Sequence, residues 1–143
     1  MPRDLKHFAT ITRGHTVVMG RNTYESIFAR LGKPLPDRNN IVITRNHNFQ
    51  ALGCTVVHSL DKALQIAPKN EEVLIIGGSQ LYAEALSKAN KIYRTLIHTT
   101  LEGDAFFPTL PASNWQLTTS KLEPKDDKNP FDATYEVYER IAK

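Results

Sequence analysis

Short apolar runs alternate with amphipathic stretches for most of this chain, and then the pattern changes. The runs "TVVM" (16–19), "NIVIT" (40–44), "TVVH" (55–58) and "VLII" (73–76) are β-branched and bounded by polar or glycine residues. That is the signature of strands buried on both faces of a parallel sheet. Helical patterns lie between them. Residues 4–12 set Leu5, Phe8 and Ile11 on one face, with Gly14 placed to end the helix. A second helix is expected through about Arg30, with Asn22 and Glu25 as its capping pair. Ser59 and Asp61 open a third at "LDKALQIA", and Leu81, Tyr82, Ala85 and Leu86 share helical spacing in a fourth that starts at Ser79. After the strand "KIYRTLIH" (91–98) come two long strand patterns, 115–123 and 132–141, joined by the charged turn "PKDDKNPF". These predict a hairpin. The whole predicts an α/β fold in one domain over residues 1–143, a mostly parallel twisted central sheet flanked by helices with a C-terminal antiparallel hairpin at its edge.

Composition alters this picture little. The 143 residues suit one domain with a real core, and 41% hydrophobic with 23% charged residues is ordinary for a globular protein. No apolar run approaches a membrane span, and "MPRDLKHF" does not read as a signal peptide. The lone Cys54 leaves no intrachain disulfide and fits a reducing cytoplasm. Histidines 7, 15, 47, 58 and 98 lack ligand spacing, so no structural metal is expected. The net charge of +3 is scattered, which argues against a nucleic-acid partner and leaves room for a small anionic ligand.

Candidate chemistry gathers where strands end. Gly20-Arg21 and Gly77-Gly78-Ser79 each lead from a strand into a helix, where free N–H groups favour phosphate. Thr44 and Arg45 add a hydroxyl and a cation at a third strand end. Neither GxGxxG nor a Walker A sequence is present. Each glycine junction, taken alone, reads equally as a tight turn, and each arginine as a solvated residue. Asp4 reads either as a helix N-cap or as a carboxylate at the rim of an apolar pocket, its pKa raised by burial to hold a proton. Arg38, after "KPLPD", is either a surface turn residue or a fork for a carboxylate.

Taken together and in order, "DLKHF" with Thr12, "VVMGRNTYESI", "KPLPDRNNIVITR", "IIGGSQLY", "IYRTLIH", "EGDAFFP" and "YEVYER" make nearly the whole chain resemble the dihydrofolate reductases. The resemblance implies that Asp4 is the active-site carboxylate, bonded to the pterin 2-amino group and N3, and that Thr95 supports it. It makes Leu5, Phe8, Ile27 and Leu35 the apolar wall, puts Ile76 and Tyr82 on the substrate side, and pairs Arg38 with the substrate's glutamate α-carboxylate. Arg21, Thr44 and Arg45 match positions around an adenosine 2′-phosphate, implying NADPH. Gly20, Asn22, Thr23, Gly77, Gly78, Ser79, Gln80 and Leu81 match the pyrophosphate and nicotinamide side, with a cis peptide between Gly77 and Gly78. Asp104 matches a residue that steadies the closed active-site loop.

The implied reaction is hydride transfer from nicotinamide C4 to C6 of 7,8-dihydrofolate with a proton reaching N5, in a cytoplasmic monomer without nucleic-acid or membrane partners. Three departures stand out. "FARLG" (28–32) reads as a small insertion, and Gln80 stands where some members carry a cation. The chain also starts at the family's "LP-x-D" segment, so the strand and mobile loop that precede it, on the order of twenty residues, are expected to be missing. The family places that strand between "LIIGG" and "IYRTLIH". A non-catalytic NADPH-binding remnant and a riboflavin-pathway reductase are the alternative readings.

Overall fold

The computed structural model describes residues 2–51, 53–69, 72–97 and 113–141, with the backbone alone at 2–5, 79 and 95–97. Contacts divide the chain into two units, Thr10–Leu86, and Met1–Ala9 with Ser87–Lys143. Helix α1 (Pro2–Thr12) passes from the second unit into the first.

The unit Thr10–Leu86 is built on strands β1 (Thr16–Gly20), β2 (Asn39–Ile43), β3 (Thr55–Val57) and β4 (Val73–Ile75), all parallel, in the order β3-β2-β1-β4. Successive side chains of a strand point to opposite faces. Val17 and Met19 therefore enter one core with Val42, Ala51 and Tyr24 of α2 (Arg21–Leu31). Val18 enters the other with Ile41 and Val57, Leu60 and Ala63 of α3 (Leu60–Ile66), and Leu81 and Ala85 of α4 (Ser79–Ala85). Because both faces are covered, Val17, Val18 and Met19 are at most 1% exposed, and their run shows no polar alternation.

The helix ends follow local chemistry, with two differences from expectation. Gly20 is itself the N-cap of α2, without a side-chain cap, so Asn22 lies inside the first turn rather than capping it. The cause is geometric: β1 stays paired through Gly20, opposite Ile43, and the helix starts at the next residue. Glu25 instead accepts a bond of 3.1 Å from Arg21 Nε. Helix α1 begins at Pro2, a residue suited to the first helical position, which puts Asp4 within the first turn and not at the N-cap. The "FARLG" segment continues α2 to Leu31, and Gly32, left-handed at φ 71°, donates its N–H to Phe28 O at 2.7 Å. Ser59 caps α3 as expected, accepting from Lys62 N at 3.1 Å.

In the other unit, β5 (Lys91–Ile97), β6 (Trp115–Glu123) and β7 (Ala133–Arg140) form an antiparallel sheet in the order β5-β7-β6. The β6–β7 hairpin is the one the sequence predicts. Its turn is braced by Asp126, whose Oδ1 accepts from Lys128 N, Asn129 N and Asn129 Nδ2 at 2.8–2.9 Å. On β5 and β7, Arg94 and Glu136 stand opposite one another and pair at 2.8 Å, and Arg94 also donates to Tyr138 Oη. His7 of α1 stacks on Tyr135 with ring centroids 4.0 Å apart.

The expected parallel sheet and C-terminal antiparallel hairpin are both present, as two separate hydrogen-bonded sheets. β4 pairs with β1 alone and β5 with β7 alone, so among the described strands none continues either sheet past these edges. The Ser59 cap gives a direct check on the local reading. Ser59→Ala is expected to destabilise the protein by about 1 kcal/mol, lowering the urea midpoint at unchanged m-value.

Candidate active site

The strand order places β1 beside β4, although the chain visits β2 and β3 between them. This is the switch point of the sheet, where a crevice opens beyond the carboxyl ends of the strands. Two bonds carry the pairing past the end of β4: Ile76 N to Val18 O at 2.9 Å, and Gly20 N to Gly77 O at 2.8 Å. The Gly77–Gly78 peptide is cis. Gly77 has φ 131°, and a Cβ there would lie 3.3 Å from Thr23 Oγ1 and 3.5 Å from Tyr82 Oη. At Gly20 the nearest such neighbour, Gly77 O, is 3.8 Å away, an ordinary contact. Gly77 is therefore required by backbone conformation and by crowding; Gly20 is required by neither.

Both helices that start at this edge lack a side-chain cap, their N-caps being Gly20 and Gly78, whereas α3 is capped by Ser59. The first N–H groups of a helix have no intrahelical partner and carry partial positive charge, so such a start suits an anion. Thr23 is half-buried against Gly77, while Asn22 and Gln80 are exposed. Arg21 is exposed, and its guanidinium lies 4.5 Å above the Phe49 ring. Thr44, buried at the end of β2, accepts from Asn46 N at 3.2 Å, and Arg45 beside it is exposed. The Thr44 carbonyl receives His58 Nδ1 at 2.8 Å. Sequence reasoning missed Phe49 and His58. Neither belongs to a motif, and only the fold gives each its partner.

The expected substrate wall is partly assembled. Ile27, Leu35 and Ile76 pack on the same core face as Val17 and Met19. Leu81 is buried on the opposite face, so a ligand contact there falls to its backbone. Tyr82 is half-buried, and burial pushes its phenol pKa up, keeping it a neutral donor at ordinary pH. Arg38 donates through Nε to Thr12 Oγ1 at 2.9 Å and through Nη1 to Pro36 O. Burial, then the nearby Arg13, lowers its pKa, Asp37 opposes them, and the guanidinium remains cationic. Phe8 is half-buried in the α1 segment of the other unit. The side chains of Asp4, Leu5, Ser79 and Thr95, and the whole of Asp104, lie outside the described residues. A groove of about 280 Å³ lined by Tyr24, Glu25, Phe28, Ala29, Phe49 and Gln50 contains none of the expected ligand residues. Among the described residues no group of three or more His, Cys, Asp or Glu side chains forms a metal site, and no helix is long and apolar enough to cross a membrane.

These features define an open α/β protein with two uncapped helix starts at the adjoining ends of β1 and β4. Comparison with known proteins narrows the class. A family model described as dihydrofolate reductase matches residues 1–140. The chain is 46% identical over 140 residues to the dihydrofolate reductase of Bacillus subtilis (strain 168), covering 98% of this chain and 81% of that protein. It is 48% identical over 131 residues to the dihydrofolate reductase type 3 of Salmonella typhimurium, covering 92% and 78%. Among solved structures, dihydrofolate reductase from Enterococcus faecalis complexed with NADP(H) superposes with a TM-score of 0.89 at 40% identity, covering 99% of this chain and 83% of that one. The chain belongs to the dihydrofolate reductase family.

The two glycines facing the crevice are expected to respond differently to a methyl group. Gly77→Ala should cost on the order of 1–3 kcal/mol of unfolding free energy because φ there is closed to L-residues. Gly20→Ala, at an ordinary extended φ of −77°, should cost less than about 1 kcal/mol. Urea titration of both variants measures the contrast.

Proposed function

We propose that this chain reduces 7,8-dihydrofolate to 5,6,7,8-tetrahydrofolate with NADPH, as a cytoplasmic monomer. The observation that carries the reading is the pair of uncapped helix starts at the adjoining ends of β1 and β4, joined by the bond from Gly20 N to Gly77 O. A pyrophosphate suits this edge, since the first N–H groups of a helix lack intrahelical partners and Gly77 and Gly78 carry no side chain. Arg21 and Arg45 are exposed cations at the ends of β1 and β2, suited to a 2′-phosphate, which favours NADPH over NADH. The Enterococcus faecalis relative complexed with NADP(H) supports the same cofactor class.

When bound, NADPH supplies the hydride, from nicotinamide C4 to the substrate's C6. The chain's own residues bind and orient. Gly20, Asn22, Thr23 and the segment Gly77–Leu81 hold the cofactor's pyrophosphate and nicotinamide side. Ile27, Leu35 and Ile76, with Leu5 and Phe8, supply apolar surface for the substrate rings, and Tyr82 borders them. Arg38 pairs with the glutamate α-carboxylate. Asp4, supported by Thr95, bonds the pterin's 2-amino group and N3 and favours protonation at N5 without donating its own proton directly. Cys54, half-buried with its thiol pKa raised by burial, suits a reducing compartment.

Two measurements test these roles. Replacing Arg21 and Arg45 together with serine should weaken NADPH binding by about tenfold or more and leave NADH binding unchanged. An equal loss for both cofactors would remove the arginines from 2′-phosphate recognition. In single-turnover experiments, Asp4→Asn should slow hydride transfer by about 10²-fold or more, most strongly at neutral pH. An unchanged rate would exclude Asp4 from the proton's path.

A further inference from the structure

Asn40 sits at an unexpected place, a position 4% exposed in the apolar strand β2, beside Val17 of β1. Its amide takes no part in the core. Nδ2 donates to Leu35 O at 2.9 Å and to Arg38 O at 3.2 Å, bridging the two ends of the turn 35–38. The carbonyls between are also held: Arg38 Nη1 donates to Pro36 O, and Gly14 N to Asp37 O at 3.0 Å. Within the turn Asp37 adopts φ 60°, uncommon for a residue with a side chain. Thr12 completes the arrangement by accepting from Arg38 Nε at 2.9 Å. Stability alone does not account for Asn40, because its Oδ1 is buried with no donor among the described residues, which is a destabilising feature. What the side chain provides is two donors aimed at the turn that carries Arg38.

We infer that Asn40 and Thr12 are positioning residues that fix the direction of the Arg38 guanidinium and thereby set the preference for a substrate bearing a glutamate tail. The inference rests on the reading of Arg38 as the partner of the glutamate α-carboxylate. Asn40 fixes the backbone from which the arginine projects. Thr12 fixes the plane of its fork, and a carboxylate bound by two parallel N–H groups is sensitive to that plane.

The test compares 7,8-dihydrofolate with 6-methyl-7,8-dihydropterin, which has the reducible ring and no glutamate. Asn40→Leu and Thr12→Val should each raise KM for dihydrofolate by about tenfold with kcat within about twofold, leaving KM for the methyl pterin unchanged. Thr12→Ser, which keeps the hydroxyl, should restore the original KM. Since Asn40→Leu removes buried donors and can impair folding, Thr12→Val acts on the same guanidinium from its other side. Arg38→Ala separates the two levels of the reading. If it changes the ratio of the two KM values while the Asn40 and Thr12 variants do not, the positioning role is overturned. If Arg38→Ala leaves the ratio unchanged, the assignment of Arg38 fails and the positioning role fails with it. Equal effects of Asn40→Leu or Thr12→Val on both substrates would likewise overturn it.

Discussion

One backbone bond, from Gly20 N to Gly77 O at 2.8 Å, joins the ends of β1 and β4 on which the proposed cofactor site rests. It extends the β1–β4 pairing beyond Ile75 and brings two helix starts to one edge of the sheet. The helices arrive from opposite sides, since α2 packs on the Val17 face and α4 on the Val18 face. A sheet wound on both faces presents helix N-termini together only where its strand order reverses. The crowding around Gly77 follows from the same bond. Thr23 of α2 and Tyr82 of α4 lie against the glycine, so that a Cβ there would press on the Thr23 hydroxyl.

The alternation that fills the two cores also sorts the residues proposed to face the ligand. Leu74 and Ile76 point to the face that holds Ile27 and Leu35, whereas Val73 and Ile75 point to the face that holds Leu81. A register slip of one residue in β4 would exchange these sets, taking Ile76 from the wall and exposing the wrong side chains. Packing and ligand geometry are therefore one constraint here. The pairs Thr16–Val73, Val17–Leu74 and Val18–Ile75 that hold the register also hold the site.

Much of this was legible in the residues. The unbroken apolar run of 17–19 identifies a strand covered on both sides, and Ser59 identifies the start of α3, because each signal is local. The hairpin was legible for the same reason, from turn chemistry between two long strands. The start of α2 was not. Asn22 followed by Glu25 has the composition of a cap, but pairing across the sheet keeps Gly20 extended and starts the helix before Asn22. The division into two sheets was not visible in the alternation of strands and helices, but it agrees with the family order, which places the expected missing strand between β4 and β5. Family resemblance located Arg38; what holds it was invisible, because Asn40 reads as one more polar residue flanking the strand and its donors reach Leu35 and Arg38 only in the folded turn.

The two ligand-facing turns solve different problems with different means. The segment 77–78 has no side chains, and in the proposed reading this leaves its backbone open to a pyrophosphate. A carboxylate fork requires a long side chain aimed in one direction, and a glycine turn would leave that direction loose. At the turn 35–38 each carbonyl instead receives a donor, from Asn40 and Gly14 outside it and from Arg38 within it. These partners converge because Asn40, a donor, begins the buried part of β2, while Gly14, a donor, and Thr12, the acceptor for Arg38 Nε, sit just before β1, the strand that pairs with it. The parallel pairing of β1 with β2 thus serves the arginine as the pairing of β1 with β4 serves the glycines, and the central strand links the two turns through its hydrogen bonds on either side.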